Sequence, residues 1–169
     1  SGVAIDKGQT KIMVIGIPDV PGKAAELFTI VADAGANIDM IVQNTPTGSD
    51  VEDAVSDIGF TLPKADTKKV AAALEANKAK LGFRVVEVDE EIGKLSVVGA
   101  GMRTHSGVSA TLFSALAKAG INIEMISTSE IRISVITSDD QVDAAARAVH
   151  TAFGLDSEIE AVVYAGTGR

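Results

Sequence analysis

The segment IPDVPG, residues 17–22, joins a short apolar run to an amphipathic helical pattern and contains groups that suit opposite charges. The first amide N–H groups of a helix have no partner within it, and the helix dipole favours a carboxylate there. Asp19 is a natural partner for an ammonium group. Pro21 suits the first turn of a helix, and Gly22 lets a ligand or another backbone approach closely. The segment predicts a receptor for a zwitterion such as an α-amino acid; the alternative is a turn that only caps the helix.

Other reactive side chains form no catalytic or metal-binding pattern. The chain has no cysteine, and its two histidines, His105 and His150, fall in different predicted elements. GAGMRTHSG, residues 99–107, lacks the Lys-Ser/Thr ending of a phosphate loop, and the last glycine of a G-x-G-x-x-G pattern falls on Thr104. We therefore predict no catalytic residue, no metal and no cofactor.

Composition excludes several classes of partner. The net charge is −8 and aromatic residues are 4% of the chain, which argues against a nucleic-acid partner. No apolar run is long enough for a membrane span, and no signal-peptide pattern opens the sequence. We therefore expect a cytoplasmic protein without a membrane or nucleic-acid partner.

The chain contains an internal repeat. PGKAAELFTIVADAGANIDMIVQ (21–43) aligns with SGVSATLFSALAKAGINIEMIST (106–128), and eleven of the 23 positions are identical. The preceding segments KIMVIG (11–16) and KLSVVG (94–99) also match. A match of this length and order indicates two copies of one structural unit.

Each copy predicts the order strand, helix, strand, strand, helix, strand. Short β-branched runs give the strands, apolar positions at i, i+3, i+4 and i+7 give the helices, and Gly35 lies where a helix end favours glycine. Asp66 is the expected cap of one later helix, and Ser138 or Asp139 of the other. The predicted strands are 11–17, 37–43, 57–62 and 83–88 in the first copy and 94–99, 122–127, 130–137 and 159–164 in the second.

This order predicts an α+β protein of two tandem ferredoxin-like βαββαβ domains, each an antiparallel sheet with both helices on one face. We place the first domain at 11–90 and the second at 91–169. Residues 1–10 form an N-terminal segment, expected to add a strand to one sheet edge. Units of this size leave sheet edges and one face open, so pairing of units is expected.

The sequence resembles tandem ACT domains, the amino-acid-sensing modules of metabolic enzymes. The D-x-P-G turn, together with NIDMIVQN, VGAGMRTHSGVSATLFSALAKAGINIEMISTSEIRISV and the ending VVYAGTGR, is similar to the regulatory region of the aspartate kinase family across residues 1–169. No kinase region matches, so the resemblance implies a non-catalytic regulatory part: a β subunit of an α2β2 enzyme or an excised regulatory domain. Whether the chain itself counts as an enzyme is left open.

The resemblance implies an effector site between ACT domains. Its implied residues are Ile17, Asp19, Pro21, Gly22, Ala24 and Gln43 of the first copy with Asn122 and Ile123 of the second. A second candidate effector site would use Asn37, Ile38, Val108 and Ser109. There MRTHSG has no acidic residue matching Asp19, so the two sites need not be equivalent. The loop 44–55 has no assigned role.

In function, the resemblance implies feedback inhibition of aspartate phosphorylation in lysine, threonine and methionine biosynthesis. The effector would be threonine, alone or together with lysine. Expected partners are the catalytic α subunit, a second copy of the chain joined through ACT domains, and the free amino acid. The alternative function is an assembly module that holds catalytic subunits together without sensing.

Overall fold

The computed structural model describes residues 2–45, 54–99, 107–154 and 163–166. The chain divides into two compact units. The first unit is residues 10–90, and the second combines residues 1–9 with 91–169. The N-terminal strand, β1 (Gly2–Asp6), therefore belongs with the second half of the chain.

The first unit follows the order that the repeat predicts. Its strands form one sheet in the order β3-β4-β2-β5, with Ile41 of β3 opposite Phe60 and Ile12 of β2 opposite Val88, both antiparallel. Its elements are β2 (Gln9–Pro18), α1 (Lys23–Asp33), β3 (Ile41–Asn44), β4 (Val55–Pro63), a 3-10 turn (Lys64–Asp66), α2 (Thr67–Ala76), α3 (Lys78–Leu81) and β5 (Val85–Asp89).

Alternation along β4 and helical spacing along α1 and α2 build the core of this unit. Phe60 is fully buried, and its ring meets Phe28 of α1 edge-on at 5.8 Å between centroids. Such an edge-to-face pair adds about 1 kcal/mol beyond the burial of its area. The apolar residues of this core with no exposed surface are Ile12, Val14, Ile17, Leu27, Val31, Phe60, Leu62, Val70, Leu74 and Leu81.

The second unit repeats the plan and adds a strand. Its sheet has the order β7-β8-β6-β1-β9. Helices α4 and α5 pack against each other, and both contribute to one core with the sheet. The elements are β6 (Ile92–Val98), α4 (Val108–Lys118), β7 (Met125–Thr128), β8 (Arg132–Ser138), α5 (Val142–Ala152) and β9 (Val163–Gly166).

β1 lies inside this sheet, so the predicted edge position was wrong. It pairs antiparallel with β6 and parallel with β9, and Val3 lies opposite Val97 on one side and Val163 on the other. Val3 is fully buried and Ile5 packs against the same core, so the segment supplies inward-facing apolar residues of its own. The β1–β9 pair is a parallel exception to the expected antiparallel pairing. The tandem ferredoxin-like α+β class is confirmed.

Two helix ends follow the sequence closely. Gly35 and Gly120 have φ values of 82° and 73°, the left-handed conformation that commonly ends helices. The Gly35 N–H bonds the Ala32 carbonyl at 2.9 Å, and the Gly120 N–H bonds the Ala117 carbonyl at 3.1 Å. The repeated Ala-Gly pair is therefore helix termination in both copies.

Several predicted boundaries were wrong. The strands expected from Asn37 and Asn122 begin only at Ile41 and Met125, because the preceding residues are held to the neighbouring strand by isolated hydrogen bonds rather than a regular ladder. Helix α5 begins after Gln141 because Ser138 still belongs to β8. The final strand shifts to Val163–Gly166, and residues 159–162 lie outside the described residues.

The expected cap at Asp66 was also wrong in its chemistry. Asp66 occupies the residue before α2, but its side chain makes no capping hydrogen bond there. Its carboxylate instead pairs with Lys69 at 2.9 Å, one turn along the helix. The acidic residue therefore contributes an ion pair at the helix start rather than a cap.

Candidate functional site

The turn after β2 is attached to the start of β4. The Asp19 N–H donates a hydrogen bond to the Ala54 carbonyl oxygen at 2.8 Å. Asp19 itself is exposed, and within the described residues its carboxylate forms no ion pair. The backbone of Asp19 is thus fixed while its charge faces solvent, which leaves the carboxylate available to a cationic ligand.

Gly22 gives α1 its start. Its φ of 93° lies in the left-handed region, which glycine adopts without the steric cost of a side chain. A Cβ placed there would meet nothing within 4 Å, so conformation rather than crowding requires glycine. Pro21 precedes Gly22 and lies outside the helix, not in its first turn as predicted.

No side chain caps the start of α1, which argues against the capping interpretation of Asp19. The Lys23 N–H bonds the Val20 carbonyl at 3.3 Å, and the Glu26 N–H bonds the Gly22 carbonyl at 2.9 Å. The intervening amides, of Ala24 and its neighbour Ala25, have no acceptor within the helix. Both residues are exposed, so these N–H groups form a candidate carboxylate receptor.

Lys23, the first residue of α1, bonds to neighbouring groups of the protein. Lys23 Nζ donates a hydrogen bond to the Lys80 carbonyl oxygen at 2.9 Å and lies 3.3 Å from Glu26 Oε2. These contacts attach α1 to α3. The anion-binding character of the helix start therefore comes from its backbone amides.

Gln43 lies on β3, the strand next to β4. Its Nε2 donates a 3.4 Å hydrogen bond to Ser56 Oγ, and Ser56 is buried. Ala54 and Ser56 stand two residues apart at the start of β4, so the Asp19 turn and Gln43 flank the same end of that strand. The first unit thus brings together the predicted ammonium partner, the helix start and Gln43.

Ile17 takes a different role from the one implied by the resemblance. Its side chain has no exposed surface and belongs to the core of the first unit. Only its backbone is available to a ligand. The residue positions the turn by anchoring the end of β2 in the core.

Asn122 and Ile123 belong to the second unit, between the end of α4 and the start of β7. Asn122 is exposed, whereas Ile123 packs against the core of its unit. The Asn122 carbonyl oxygen accepts a 2.7 Å hydrogen bond from Thr137 Oγ1, and the Glu124 N–H bonds the Ile136 carbonyl at 2.8 Å. The two peptides on either side of Ile123 are therefore each held by one hydrogen bond.

The residues of the second candidate site are divided between the units. Asn37 is exposed and Ile38 packs against the first core, while Val108 packs against the second core and Ser109 is exposed. Gly107, with φ of 92°, begins α4 as Gly22 begins α1. Residues 100–106, including His105, and residues 46–53 of the loop predicted at 44–55 lie outside the described residues.

Sequence reasoning missed Ser56 and Thr137. Both are polar residues at buried positions of β4 and β8, and buried hydroxyl groups require hydrogen-bond partners. That requirement is the signal that could have identified them. In the described part of the chain, no three His, Asp or Glu side chains form a group that could hold a metal. None of the helices there has the length and apolar character to cross a membrane.

The sequence matches one known domain family twice and known proteins over its full length. The ACT domain family matches residues 11–79 and again residues 95–153. Over all 169 residues the chain is 53% identical to an aspartokinase of Mycolicibacterium smegmatis and 50% identical to one of Corynebacterium glutamicum. The chain spans 39% of the length of each of these relatives.

Solved structures match over nearly their full length. The chain is 42% identical, with a TM-score of 0.83, to a chain of the crystal structure of aspartokinase alpha and beta subunits, and the match covers 91% of this chain and 98% of that one. The regulatory subunit of aspartate kinase from Thermus thermophilus, in its ligand-free form, is 41% identical with a TM-score of 0.83, covering 90% and 97%.

Proposed function

The chain belongs to the aspartokinase family as a regulatory region of two ACT domains, and on this premise we propose that it senses a free amino acid and adjusts aspartate kinase activity. The amino acid is an end product of the pathway that aspartate phosphorylation begins, namely threonine, alone or together with lysine. Binding inhibits the kinase and so provides feedback control of lysine, threonine and methionine biosynthesis.

The observation that carries this proposal is the pairing of an exposed carboxylate with free helix-start amides on one fixed turn. Asp19 meets the ammonium group of the ligand, and the N–H groups at Ala24 meet its carboxylate. Gln43, on the other side of the β4 start, reads the side chain of the amino acid. Gly22 keeps the path to the helix start open.

Asn122 and Ile123 of the second unit are further candidate contacts for an amino acid. Their backbone lies outside the ladder of β7, although the Asn122 carbonyl oxygen is already bonded to Thr137 Oγ1. Asn37, Ile38, Val108 and Ser109 are the candidate contacts for a second effector, which need not bind in the same way because the second copy has no acidic residue equivalent to Asp19.

Regulation follows from differential binding. A ligand that binds one arrangement of ACT domains more tightly than another shifts the population toward that arrangement. A coupling free energy of about 1–3 kcal/mol between effector and substrate sites is typical. The kinase region responds to that shift. In this proposal it is either part of the same polypeptide or a separate α subunit bound to this chain. We place the assembly in the cytoplasm.

A second candidate function is assembly without sensing, which exposed apolar residues on edge strands favour. Ile41 of β3 and Ile126 of β7 are 54% and 47% exposed, and they occupy equivalent positions of the repeat. Among the described strands, both lie at the edge of their sheets, where backbone groups can pair with another strand. A homodimer through these edges is compatible with either function, since a sensing dimer also needs an interface.

Isothermal titration calorimetry tests the proposal. L-threonine and L-lysine are titrated singly and together, with L-threonine amide and N-acetyl-L-threonine as matched controls that lack one charge each. We expect binding of threonine, with or without lysine, and no binding of either control. Absence of heat and of a thermal shift with both natural amino acids would refute sensing. An oligomeric state that then remained unchanged would favour the assembly module.

A further inference from the structure

Strand β2 bends at Gly16, three residues before Asp19. Gly16 has a φ of 73°, in the left-handed region that glycine adopts more readily than other residues and that marks a bulge inside a strand. The ladder with β5 runs up to Ile15, opposite Val85, and a Cβ on Gly16 would lie 3.1 Å from the Cβ of Arg84. The bend sets the direction in which the chain leaves the sheet and enters the Asp19 turn.

A side chain of β4 holds this bend. The Gly16 N–H donates a 2.9 Å hydrogen bond to Asp57 Oδ1, and both residues are half-buried. A hydrogen bond from a backbone N–H to a carboxylate is roughly twice as strong as one between neutral groups. The carboxylate therefore fixes the backbone of β2 at the residue where its conformation departs from that of a regular strand.

The same stretch of β4 also holds two parts of the candidate site. The Ala54 carbonyl oxygen accepts the Asp19 N–H at 2.8 Å, and Ser56 Oγ accepts a 3.4 Å hydrogen bond from Gln43 Nε2. Asp57 follows Ser56 directly in the chain. The start of β4 is thus bonded to the acidic turn, to the strand segment that leads into that turn, and to the residue proposed to read the ligand side chain.

The second copy makes the equivalent contact differently. Gly99 is the repeat equivalent of Gly16, and its N–H bonds the Ile131 backbone carbonyl at 3.0 Å. The matching strand registers of the two sheets put Arg132 of β8 at the position of Asp57. An arginine side chain has no hydrogen-bond acceptor. The copy whose turn lacks an acidic residue therefore also lacks the carboxylate that would hold the strand before it.

We propose that Asp57 is a positioning residue of the effector site. It holds the Gly16 N–H and thereby directs the segment that carries the Asp19 carboxylate and the start of α1. Strand pairing alone does not require this carboxylate, since a backbone carbonyl serves the equivalent glycine of the second copy. All of these residues belong to the first unit. The role of Asp57 rests on the proposed function.

Two substitutions of Asp57 and one control separate positioning from stability. Asp57→Ala removes the acceptor, whereas Asp57→Asn keeps an oxygen that can accept the same N–H. Thr61→Ala is the matched control, because Thr61 also lies on β4 and its Oγ1 accepts the Met40 N–H at 3.0 Å. Both alanine variants remove one side-chain acceptor of a backbone N–H, so both should lower the melting temperature of the unliganded protein.

Calorimetry should show a loss of affinity for L-threonine in one variant only. We expect Asp57→Ala to weaken binding about five- to tenfold, the effect of one lost hydrogen bond. Asp57→Asn should stay within about threefold of the wild type. Thr61→Ala should stay within about twofold, since Thr61 lies about 20 Å along the strand from Ala54. L-lysine is the titrant if it alone binds the wild type.

The outcomes that overturn this role differ from those that refute sensing. Wild-type affinity in a folded Asp57→Ala protein contradicts the role of Asp57 while sensing stands, and so does an equal loss of affinity in Asp57→Asn or Thr61→Ala. Absence of binding in the wild type refutes the proposed function, and the role of Asp57 with it.

Hydrogen exchange of the wild type decides if Asp57→Ala does not fold. Binding of L-threonine should slow exchange of the Gly16 amide, because the ligand stabilises the turn that the Asp57 bond directs. The Met40 amide, which is bonded to Thr61, should exchange at an unchanged rate. An unchanged rate at Gly16 under saturating L-threonine contradicts the proposal.

Discussion

The Asp19 amide donates a 2.8 Å hydrogen bond to the carbonyl oxygen of Ala54, which joins the turn after β2 to the start of β4. This bond fixes the backbone of Asp19, while its carboxylate is exposed. Asp19 lies three residues before Gly22, the residue that begins α1, and no side chain caps that helix. Because the Asp19 side chain is exposed, it can be substituted without disturbing the packing of the core.

Asp19→Asn should abolish most effector binding and leave the fold intact. The variant loses the charge that pairs with the ammonium group, so we expect affinity for threonine to fall about 10- to 100-fold. Asp33→Asn is the matched control, because Asp33 is an exposed carboxylate at the far end of the same helix. Calorimetry measures both. Equal affinity in Asp19→Asn and the wild type would remove Asp19 from the site.

Gly22→Ala should both destabilise the protein and weaken binding. An alanine held at a φ of 93° costs about 1–2 kcal/mol, although its Cβ has open space. Gly107→Ala is the control with φ of 92° at the start of α4. Urea unfolding should show similar losses for the two variants, while calorimetry should show weaker threonine binding only for Gly22→Ala. Equal losses of affinity would indicate that both helix starts bind the ligand.

Gly93→Ala should overpack the second unit. A Cβ at Gly93 would lie 2.6 Å from the Cβ of Val142, so the helix must shift, at a cost of about 1–3 kcal/mol. The double variant with Val142→Gly removes the clashing Cβ and should be less destabilised than the sum of the two single losses predicts. Urea unfolding checks the cycle. If the changes in the free energy of unfolding were strictly additive, the two positions would not be in steric contact.

Val3→Asp should unfold the second unit, because Val3 of β1 is fully buried. A charge at a fully buried position without a partner costs more than about 3 kcal/mol. Far-UV circular dichroism during urea unfolding measures this loss. Val88→Asp is the control, since Val88 is 44% exposed on β5. A native-like spectrum and urea midpoint in Val3→Asp would contradict the burial of Val3.

The repeat and its apolar periodicity were sufficient to predict the fold class. Each copy contains local signals, such as Gly35 and Gly120 at helix ends, that act within a few residues. The place of β1 could not be predicted in this way, because five residues with Val3 and Ile5 facing inward suit an edge or an interior strand equally. Which neighbour they pair with is decided by residues far along the chain.

The candidate site also contains residues that the local sequence predicts and contacts that it does not. The turn with Asp19 and Gly22 was predictable because its residue types have local consequences for backbone and charge. The hydrogen bonds of Asp19 to Ala54, of Gln43 to Ser56 and of Asn122 to Thr137 depend on which strands become neighbours. No local sequence pattern predicts them. Ile17 was assigned to the ligand by resemblance, although burial leaves it only a backbone contribution.

The most direct test is a crystal structure of the protein grown with L-threonine. We expect a bound amino acid whose ammonium group lies within hydrogen-bond distance of the Asp19 carboxylate. Its carboxylate should meet the amides that follow Gly22. Ordered water alone at that turn, in crystals saturated with threonine and lysine, would contradict it.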